Sequence, residues 1–198
     1  MTTPAQDIAE VLLTKEQINA RVGELGAEIS RDYTDRNPLF VSVLKGAVYF
    51  LADLTRAVEI PVQMDFMAIT SYGSARAQSG VVRLIKDLDV EITGRHVLLV
   101  EDIIDTGLTA GYLLRLLYAR SPASLEICTL LDRPYRRILD SLRIAYRGFE
   151  IPDRFVVGYG LDYHERYRHL PFIGILKEEI LKGAAPAARD TRGPGRGK

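Results

Sequence analysis

Hydrophobic residues near the start of the chain repeat first at helical and then at strand spacing. Apolar side chains recur at intervals of three or four residues: Ile18, Val22, Leu25, Ile29 and Tyr33. This spacing predicts an amphipathic helix, and Thr14 with Gln17 fits a capping box at its start. After a break at Pro38, the short apolar run 39–44 predicts a buried strand, and 46–58 predicts a second helix.

Apolar strands alternate with helical segments along the rest of the chain. Predicted strands occupy 62–70, 96–100, 125–131, 155–157 and 172–175. A predicted helix occupies 106–119. Strands that alternate with helices imply crossover connections. We therefore expect an α/β fold with a mainly parallel central sheet flanked by helices.

Two polar segments fall outside this alternation. The segment 71–80 is built from small and polar residues, which is typical of a mobile loop, and long loops of this kind often act as lids. The segment 183–198 contains no Leu, Ile, Val or aromatic residue, so it cannot bury enough surface to offset its ordering entropy. We expect a single domain over 1–182 and a disordered, net basic tail over 183–198.

Composition narrows the class of protein. Lys plus Arg and Asp plus Glu are both 26, so the formal net charge is zero and no nucleic-acid partner is expected. The 47% hydrophobic content is typical of a globular domain. Cys128, the single cysteine, cannot form an internal disulfide. No apolar run approaches the roughly 18 residues of a membrane span. Residues 1–10 also lack the pattern of a secretory signal. We expect a cytoplasmic protein with no membrane partner.

The segment 96–110, HVLLVEDIIDTGLTA, carries the most distinctive chemistry. Its apolar strand leads directly into two adjacent carboxylates, Glu101 and Asp102. Ligands of open α/β sheets bind outside the carboxyl ends of strands, where such carboxylates can hold a cation or accept hydrogen bonds. The helix that follows can surround a phosphate with its N–H groups and the hydroxyls of Thr106 and Thr109.

A purely structural interpretation of this segment stays open on the residues alone. The chain has neither the string G-x-x-x-x-G-K-[ST] nor a G-x-G-x-x-G turn between a strand and a helix. Glu101 and Asp102 can be solvated acids at a strand end. Asp105 can be the N-cap of the helix.

Several strings together resemble one family. V-E-D-I-I-D-T-G resembles the phosphoribosyl-diphosphate signature of the type I phosphoribosyltransferases. Leu44-Lys45-Gly46, Ser71-Tyr72 and FVVGYGLDY at 155–163 are similar to their hypoxanthine (hypoxanthine-guanine) phosphoribosyltransferase branch. The resemblance covers about 18–181. It implies the three-layer phosphoribosyltransferase fold, with a small hood from both chain ends and a flexible lid loop.

The resemblance also implies a reaction and a set of residues for it. The reaction is the Mg²⁺-dependent transfer of ribose 5-phosphate from phosphoribosyl diphosphate to hypoxanthine or guanine, giving IMP or GMP and diphosphate. Glu101 and Asp102 would bind the ribose hydroxyls beside a magnesium ion, and Asp105 would be the general base at purine N7. The turn that would hold the 5′-phosphate consists of Thr106, Gly107, Leu108 and Thr109.

The diphosphate would be bound by a second group of residues. By resemblance, Lys45 and Gly46 present backbone N–H groups to the diphosphate, after a Leu44–Lys45 peptide that is expected to be cis. Arg168 would reach the same group with a bidentate guanidinium. Taken alone, Lys45 can be a surface lysine and Arg168 a solvated arginine. Ser71-Tyr72 would begin the lid.

The purine would be bound by residues of the C-terminal half. Phe155 would stack on the ring and the Val156 backbone would hydrogen-bond it, although both can be ordinary strand core. Asp162 would bind a second magnesium ion through water, or serve only as a turn residue. Arg133 stands where the family usually has Lys, which donates to purine O6. Arg and Lys are not interchangeable, so the preference among hypoxanthine, guanine and xanthine stays open. A donor here should reject adenine.

Two other classes of function can be built on such a fold. A regulatory protein, like the RNA-binding attenuators of pyrimidine operons, needs a basic face that the neutral charge balance does not favour. A phosphate-binding module without catalysis would not need Lys45, Asp105, Asp162 and Arg168 together. The sequence therefore predicts the enzyme, which by resemblance would be a homodimer or a homotetramer.

Overall fold

The helices and strands alternate along most of the chain. The computed structural model describes residues 4–71, 82–139 and 141–183. Its strands are β1 (Ile8–Leu13), β2 (Leu39–Leu44), β3 (Gln63–Ser71), β4 (Val82–Lys86), β5 (His96–Ile104), β6 (Ser124–Asp132), β7 (Tyr146–Glu150), β8 (Val156–Val157) and β9 (Ile173–Leu176). Its α-helices are α1 (Lys15–Asp32), α2 (Val48–Ala57), α3 (Leu108–Tyr118) and α4 (Glu178–Gly183). Short 3₁₀ helices cover Pro4–Asp7 and Pro134–Arg136.

The central sheet has the strand order β4-β3-β2-β5-β6-β7 within the described ranges. β3 and β4 pair antiparallel, and the other neighbours pair in parallel. The order reverses at β2, because the next strand along the chain lies on one side of it and β5 lies on the other. In open α/β sheets, ligands bind in the crevice at the carboxyl ends of the strands that flank such a reversal. The ends of β2 and β5 are therefore the expected binding edge.

Alternate side chains of the central strands enter two apolar cores. In β2, Phe40 belongs to one core, while Leu39 and Val41 belong to the other. Helices α1 and α2 cover the Phe40 core, and α3 covers the second core through Leu113 and Leu117. This alternation has the period of two that a strand buried on both faces requires. It confirms the predicted three-layer, mainly parallel α/β class.

A second, antiparallel sheet joins the two ends of the described chain. It has the order β1-β9-β8, so an N-terminal strand pairs with a C-terminal one. The resemblance implies a hood of this composition. After β8 the chain passes close to the turn that follows β2. A Cβ atom on Gly160 would lie 1.9 Å from the Gly46 carbonyl oxygen. The hood thereby brings the 158–170 loop to the binding edge.

The predicted element boundaries are partly correct. The capping box at Thr14 is confirmed, since its backbone N–H and hydroxyl both bond Gln17. Helix α2 begins at Val48 rather than at 46, because 45–47 form a turn. Strand β5 continues to Ile104, so the carboxylates at 101 and 102 lie inside the strand. Helix α3 begins only after Gly107, whose φ of +81° suits a residue without Cβ.

Three strands were missed by the sequence analysis, and all three are edge strands. β1 is at one edge of the hood sheet, and β4 and β7 are the two edges of the central sheet. An edge strand has one paired neighbour and is more exposed, so its apolar pattern is weaker. In β1 the first five residues are all partly or fully exposed.

Some expectations concern residues outside the described ranges. Most of the lid segment, including Tyr72, and nearly all of the tail belong to these residues. Among the residues that the structure describes, no helix is long and apolar enough to span a bilayer.

Two glycines of α1 provide a matched test of the packing between α1 and α2. A Cβ at Gly26 would lie 2.5 Å from the Ala57 carbonyl oxygen, whereas one at Gly23 would meet no described atom within 4 Å. We expect Gly26→Ala to destabilise the fold by about 1–3 kcal/mol, because the helices must move apart. Gly23→Ala should stabilise it by about 0.5–1 kcal/mol, because Ala is the better helix former. Urea unfolding at one protein concentration measures both, and equal effects would contradict the close packing.

Candidate active site

A pocket of about 260 Å³ opens at the carboxyl end of β5 and the start of α3. Its lining consists of Glu101, Asp102, Ile103, Ile104, Asp105, Thr106, Gly107, Thr109 and Ala110. The N-cap of α3 is Gly107, which makes no side-chain cap bond, so Asp105 is not the cap that the structural interpretation suggested. The first N–H groups of a helix lack intrahelical partners. With the threonine hydroxyls beside them, they can bind an anion such as phosphate.

Two carboxylates of β5 form one wall of this pocket. Glu101 is buried, and its Oε1 has no hydrogen-bond partner among the described residues. Burial, and next the charge of Asp102, raise the pKa of Glu101 well above its usual range. Burial also raises the pKa of Asp102 to about 6, although its Oδ1 accepts a 2.8 Å bond from the Ile103 N–H. These groups are not solvated strand-end acids, which corrects that interpretation.

The turn after β2 closes against this wall through backbone alone. The Leu44–Lys45 peptide is cis, as the resemblance implied. A Cβ at Gly46 would lie 1.8 Å from Asp102 Oδ2, so any other residue there would have to displace this carboxylate. The Gly46 carbonyl in turn lies against Gly160, at φ +102°. The strand turn, the carboxylate and the hood loop therefore meet at one point.

Charged side chains surround the same point on the hood side. Arg168 donates from Nη1 to the Gly160 carbonyl at 2.7 Å and pairs from Nη2 with Asp162 Oδ1 at 2.8 Å. Its Nε is buried without a partner among the described residues. Lys45 Nζ lies 3.0 Å from Glu165 Oε2. Lys45 in the β2 turn and Arg168 in the hood loop are thus two cations near the same point, and Asp162 is close enough to raise the pKa of Asp102.

Two further arginines, Arg133 and Arg136, lie at the Asp105 end of the pocket. Arg133 follows β6, and its N–H bonds the Ile104 carbonyl at 3.0 Å. Its buried guanidinium lies 3.6 Å from Asp105 Oδ2 through Nη1 and donates from Nη2 to the Arg154 carbonyl at 2.6 Å. Arg136 Nε lies 3.4 Å from Asp105 Oδ1. Asp105 is thus held between two guanidinium groups.

The remaining predicted residues lie at the edges of this arrangement. Phe155 precedes β8 and is 46% exposed, with its ring 5.6 Å edge-to-face from Tyr163. Val156 has its side chain in the buried core, whereas Phe155 is not part of the core. Ser71 is the last residue of β3. Cys128 is buried in β6, and burial raises the pKa of its thiol far above its usual range, as expected for an inert core cysteine.

Three residues that contact the site were not predicted. Arg136 contacts Asp105, Glu165 contacts Lys45, and Gly160 contacts Gly46. Only Gly160 had a signal in the sequence, as part of the glycine-rich string at 155–163. The two charged residues lie in polar segments where neither spacing nor composition separates them from solvated surface.

The wall of carboxylates suits a hard cation. Glu101 has an unpartnered buried oxygen, and Mg²⁺ prefers carboxylate together with substrate phosphates and water. Among the described residues, no three His, Cys, Asp or Glu side chains converge as a closed metal cage. The residues therefore fit an open site that a substrate would complete.

Comparisons with known proteins agree with this geometry. The family model of the phosphoribosyl transferase domain matches residues 9–164. Hypoxanthine-guanine phosphoribosyltransferases of Mycobacterium tuberculosis and Bacillus subtilis are 53% and 51% identical, each over 89% of this chain, and the matches cover 90% and 97% of their own lengths. The crystal structure of a hypoxanthine phosphoribosyltransferase from Staphylococcus aureus superposes with a TM-score of 0.85 at 45% identity, covering 89% of this chain and 95% of that one.

The chain belongs to the phosphoribosyltransferase family. Within it, the identity over nearly the whole chain makes this protein a purine-salvage enzyme of the hypoxanthine-guanine phosphoribosyltransferase group. The predicted family and fold are confirmed.

The buried carboxylate predicts a particular pH dependence of stability. Because the pKa of Glu101 is raised in the folded state, the folded protein binds more protons than the unfolded chain above about pH 4.5. The stabilisation from this group is complete below that pH and is lost as the pH rises. Gln does not titrate. We therefore expect the melting temperature of Glu101→Gln, relative to that of wild type, to increase from pH 5 to pH 8. Thermal melts in EDTA measure the difference, and a gap that does not change with pH would contradict the prediction.

Proposed function

We propose that this enzyme transfers ribose 5-phosphate from phosphoribosyl diphosphate to hypoxanthine and guanine, with Mg²⁺ as cofactor. The position of Asp105 carries the proposal. This carboxylate lies between the phosphate-binding start of α3 and the buried Arg133 guanidinium. At this position Asp105 can accept a proton from a bound ring, and Arg133 can donate a hydrogen bond to an oxygen of the same ring.

The ribose and its two phosphate groups would lie along the binding edge. In the reaction the bond from C1′ to the diphosphate oxygen breaks, and a bond from C1′ to a purine nitrogen forms. The 5′-phosphate would accept hydrogen bonds from the turn of Thr106, Gly107, Leu108 and Thr109. Glu101 and Asp102 would accept from the ribose hydroxyls, and their negative charge would favour the oxocarbenium-like sugar. The diphosphate would leave toward Lys45, Gly46 and Arg168.

The purine would lie between the arginine cluster and the hood. Asp105 would take the N7 proton of the base as the sugar bond forms. Arg133 would donate to O6, while the Val156 backbone would bond the six-membered ring. The exposed ring of Phe155 is available for stacking. Ser71 and Tyr72 would begin the lid that excludes water from the site.

One Mg²⁺ ion would be held by Glu101 and Asp102 on the ribose side, and a second would be held by Asp162 through water. When bound, Mg²⁺ would supply positive charge that stabilises the departing diphosphate. The raised pKa values of both β5 carboxylates support this assignment, because a cation beside them favours their ionised forms.

The proposal includes the cellular location and the oligomeric state of the enzyme. We place it in the cytoplasm, because its buried, unpaired Cys128 thiol suits a reducing compartment. We propose a homodimer or homotetramer. Tyr49 on α2, Met64 on β3 and Ile85 on β4 are large apolar side chains that a contact between subunits would cover.

The general-base role is tested by Asp105→Asn. We expect kcat with hypoxanthine to fall by about 10²-fold or more, because the amide cannot take the proton, while the melting temperature stays near that of wild type. A spectrophotometric assay with phosphoribosyl diphosphate and Mg²⁺ measures the loss. Asp153→Asn is the matched control, since this exposed carboxylate pairs with the same Arg136 at 3.7 Å. Equal activity of the two variants would exclude the role.

The base preference is tested by Arg133→Gln. Two donors face each other when adenine meets an arginine, so we expect wild type to turn over adenine about 10⁴-fold less efficiently than hypoxanthine. The Gln amide can also accept a hydrogen bond. This variant should therefore reduce the ratio of kcat/KM for hypoxanthine to kcat/KM for adenine by about tenfold or more. Arg133→Lys keeps only donors and should preserve the discrimination. Comparable kcat/KM values for adenine and hypoxanthine in wild type would refute the role of Arg133.

A further inference from the structure

Glu165 bridges two cations, Lys45 in the turn after β2 and Arg168 in the hood loop. Its Oε2 lies 3.0 Å from Lys45 Nζ, and its Oε1 lies 3.4 Å from Arg168 Nη2. One carboxylate thus uses both oxygens to join two positive side chains that come from distant parts of the sequence. Hydrogen bonds from Lys45, and then from Arg168, lower the pKa of Glu165, so the group is ionised at neutral pH.

The backbone aims this carboxylate at the cations. The Glu165 N–H donates to Asp162 Oδ2 at 2.9 Å. Residues 163 and 166 close a tight turn around it, each donating its N–H to the carbonyl of the other at 3.1 Å. His164 and Glu165 both have positive φ, +52° and +61°, which non-glycine residues adopt only when the surrounding structure holds them there. These contacts therefore fix the backbone from which the Glu165 side chain extends.

Arg168 does not depend on Glu165 for its own position. Its Nη1 donates to the Gly160 carbonyl at 2.7 Å, and its Nη2 pairs with Asp162 at 2.8 Å. Both contacts are shorter than the 3.4 Å to Glu165. The guanidinium would stay in place if the Glu165 charge were removed. The carboxylate is thus a third partner of Arg168, and a ligand can replace it.

The bridge is also weak enough to be displaced. The side chains of Lys45 and Glu165 are 67% and 64% exposed, and ion pairs between exposed side chains contribute little. A diphosphate carries several negative charges and matches a guanidinium in a bidentate manner. It would therefore compete successfully for both cations.

We infer that the Glu165 carboxylate is an internal counter-ion that occupies part of the diphosphate position between Lys45 and Arg168, and that every diphosphate group that binds must displace it. The inference rests on the proposed function, which places the diphosphate at the backbone N–H groups of Lys45 and Gly46 and at Arg168, and it adds the Lys45 ammonium to that position. Its consequence is a lower affinity for phosphoribosyl diphosphate and for the diphosphate product. When diphosphate leaves, the carboxylate returns to the cations and so favours release.

The test is Glu165→Gln, which keeps the size of the side chain and removes its charge. We expect Mg²⁺-diphosphate, titrated calorimetrically into the enzyme without a purine, to bind about fivefold more tightly. Inhibition of turnover by added diphosphate should strengthen by the same factor, and the KM for phosphoribosyl diphosphate should fall. The effect should shrink at high ionic strength, because salt screens exposed charges.

A matched control separates this local effect from net charge. Glu24→Gln on α1 removes the same charge from another exposed ion pair, with Arg21 at 2.7 Å. It should leave diphosphate affinity at the wild-type value, and melting temperatures should show that both variants are folded. Equal tightening in the two variants would overturn the inference.

Arg168→Gln distinguishes failure of the inference from failure of the proposed function. If this variant loses diphosphate binding while Glu165→Gln binds no better than wild type, the counter-ion role is wrong and the diphosphate site stands. Weaker binding by Glu165→Gln has the same meaning, because it would make Glu165 a positioning residue. If Arg168→Gln binds diphosphate like wild type, the proposed diphosphate site is itself wrong, and the inference falls with it.

Discussion

The binding edge depends on close contacts of the Gly46 backbone, which leave no room for a side chain unless the neighbouring groups move. The Gly46 backbone lies between the Asp102 carboxylate and Gly160, and a Cβ on either glycine would be within 2 Å of an oxygen atom. This contact joins the end of β2, the end of β5 and the hood loop. It places the β2 turn beside the Asp102 carboxylate and the hood loop beside the β2 turn.

The site holds charge at a cost in stability. Glu101 is buried with an unpartnered oxygen, and the nearby Asp102 raises its pKa further. Neutral residues at both positions would make the folded protein more stable, because burying a charge is unfavourable unless it is paired. The proposed binding of a cation and of the ribose diol uses both carboxylates, and this proposal would account for their presence in an otherwise apolar strand.

Both ends of the site pair carboxylates with cations before any substrate binds. At the end where we propose that the purine binds, Asp105 lies between Arg133 and Arg136. At the end where we propose that the diphosphate binds, Glu165 lies between Lys45 and Arg168. Each carboxylate partly neutralises the two cations beside it. In the proposed reaction, a bound substrate would rearrange these pairs.

Local sequence determined α1, α2, α3 and the buried strands, but not the short α4, because capping at Thr14, apolar spacing and the run into VEDIIDTG are short-range signals. The resemblance of a few strings then assigned the chemistry. The tertiary structure alone decided the reversal of strand order at β2, the edge strands, and the contacts of Arg136 and Glu165. These features join residues far apart in the chain or place ordinary polar residues beside charged partners. Pairing over such separations is set by packing of the whole fold, and no local pattern records it.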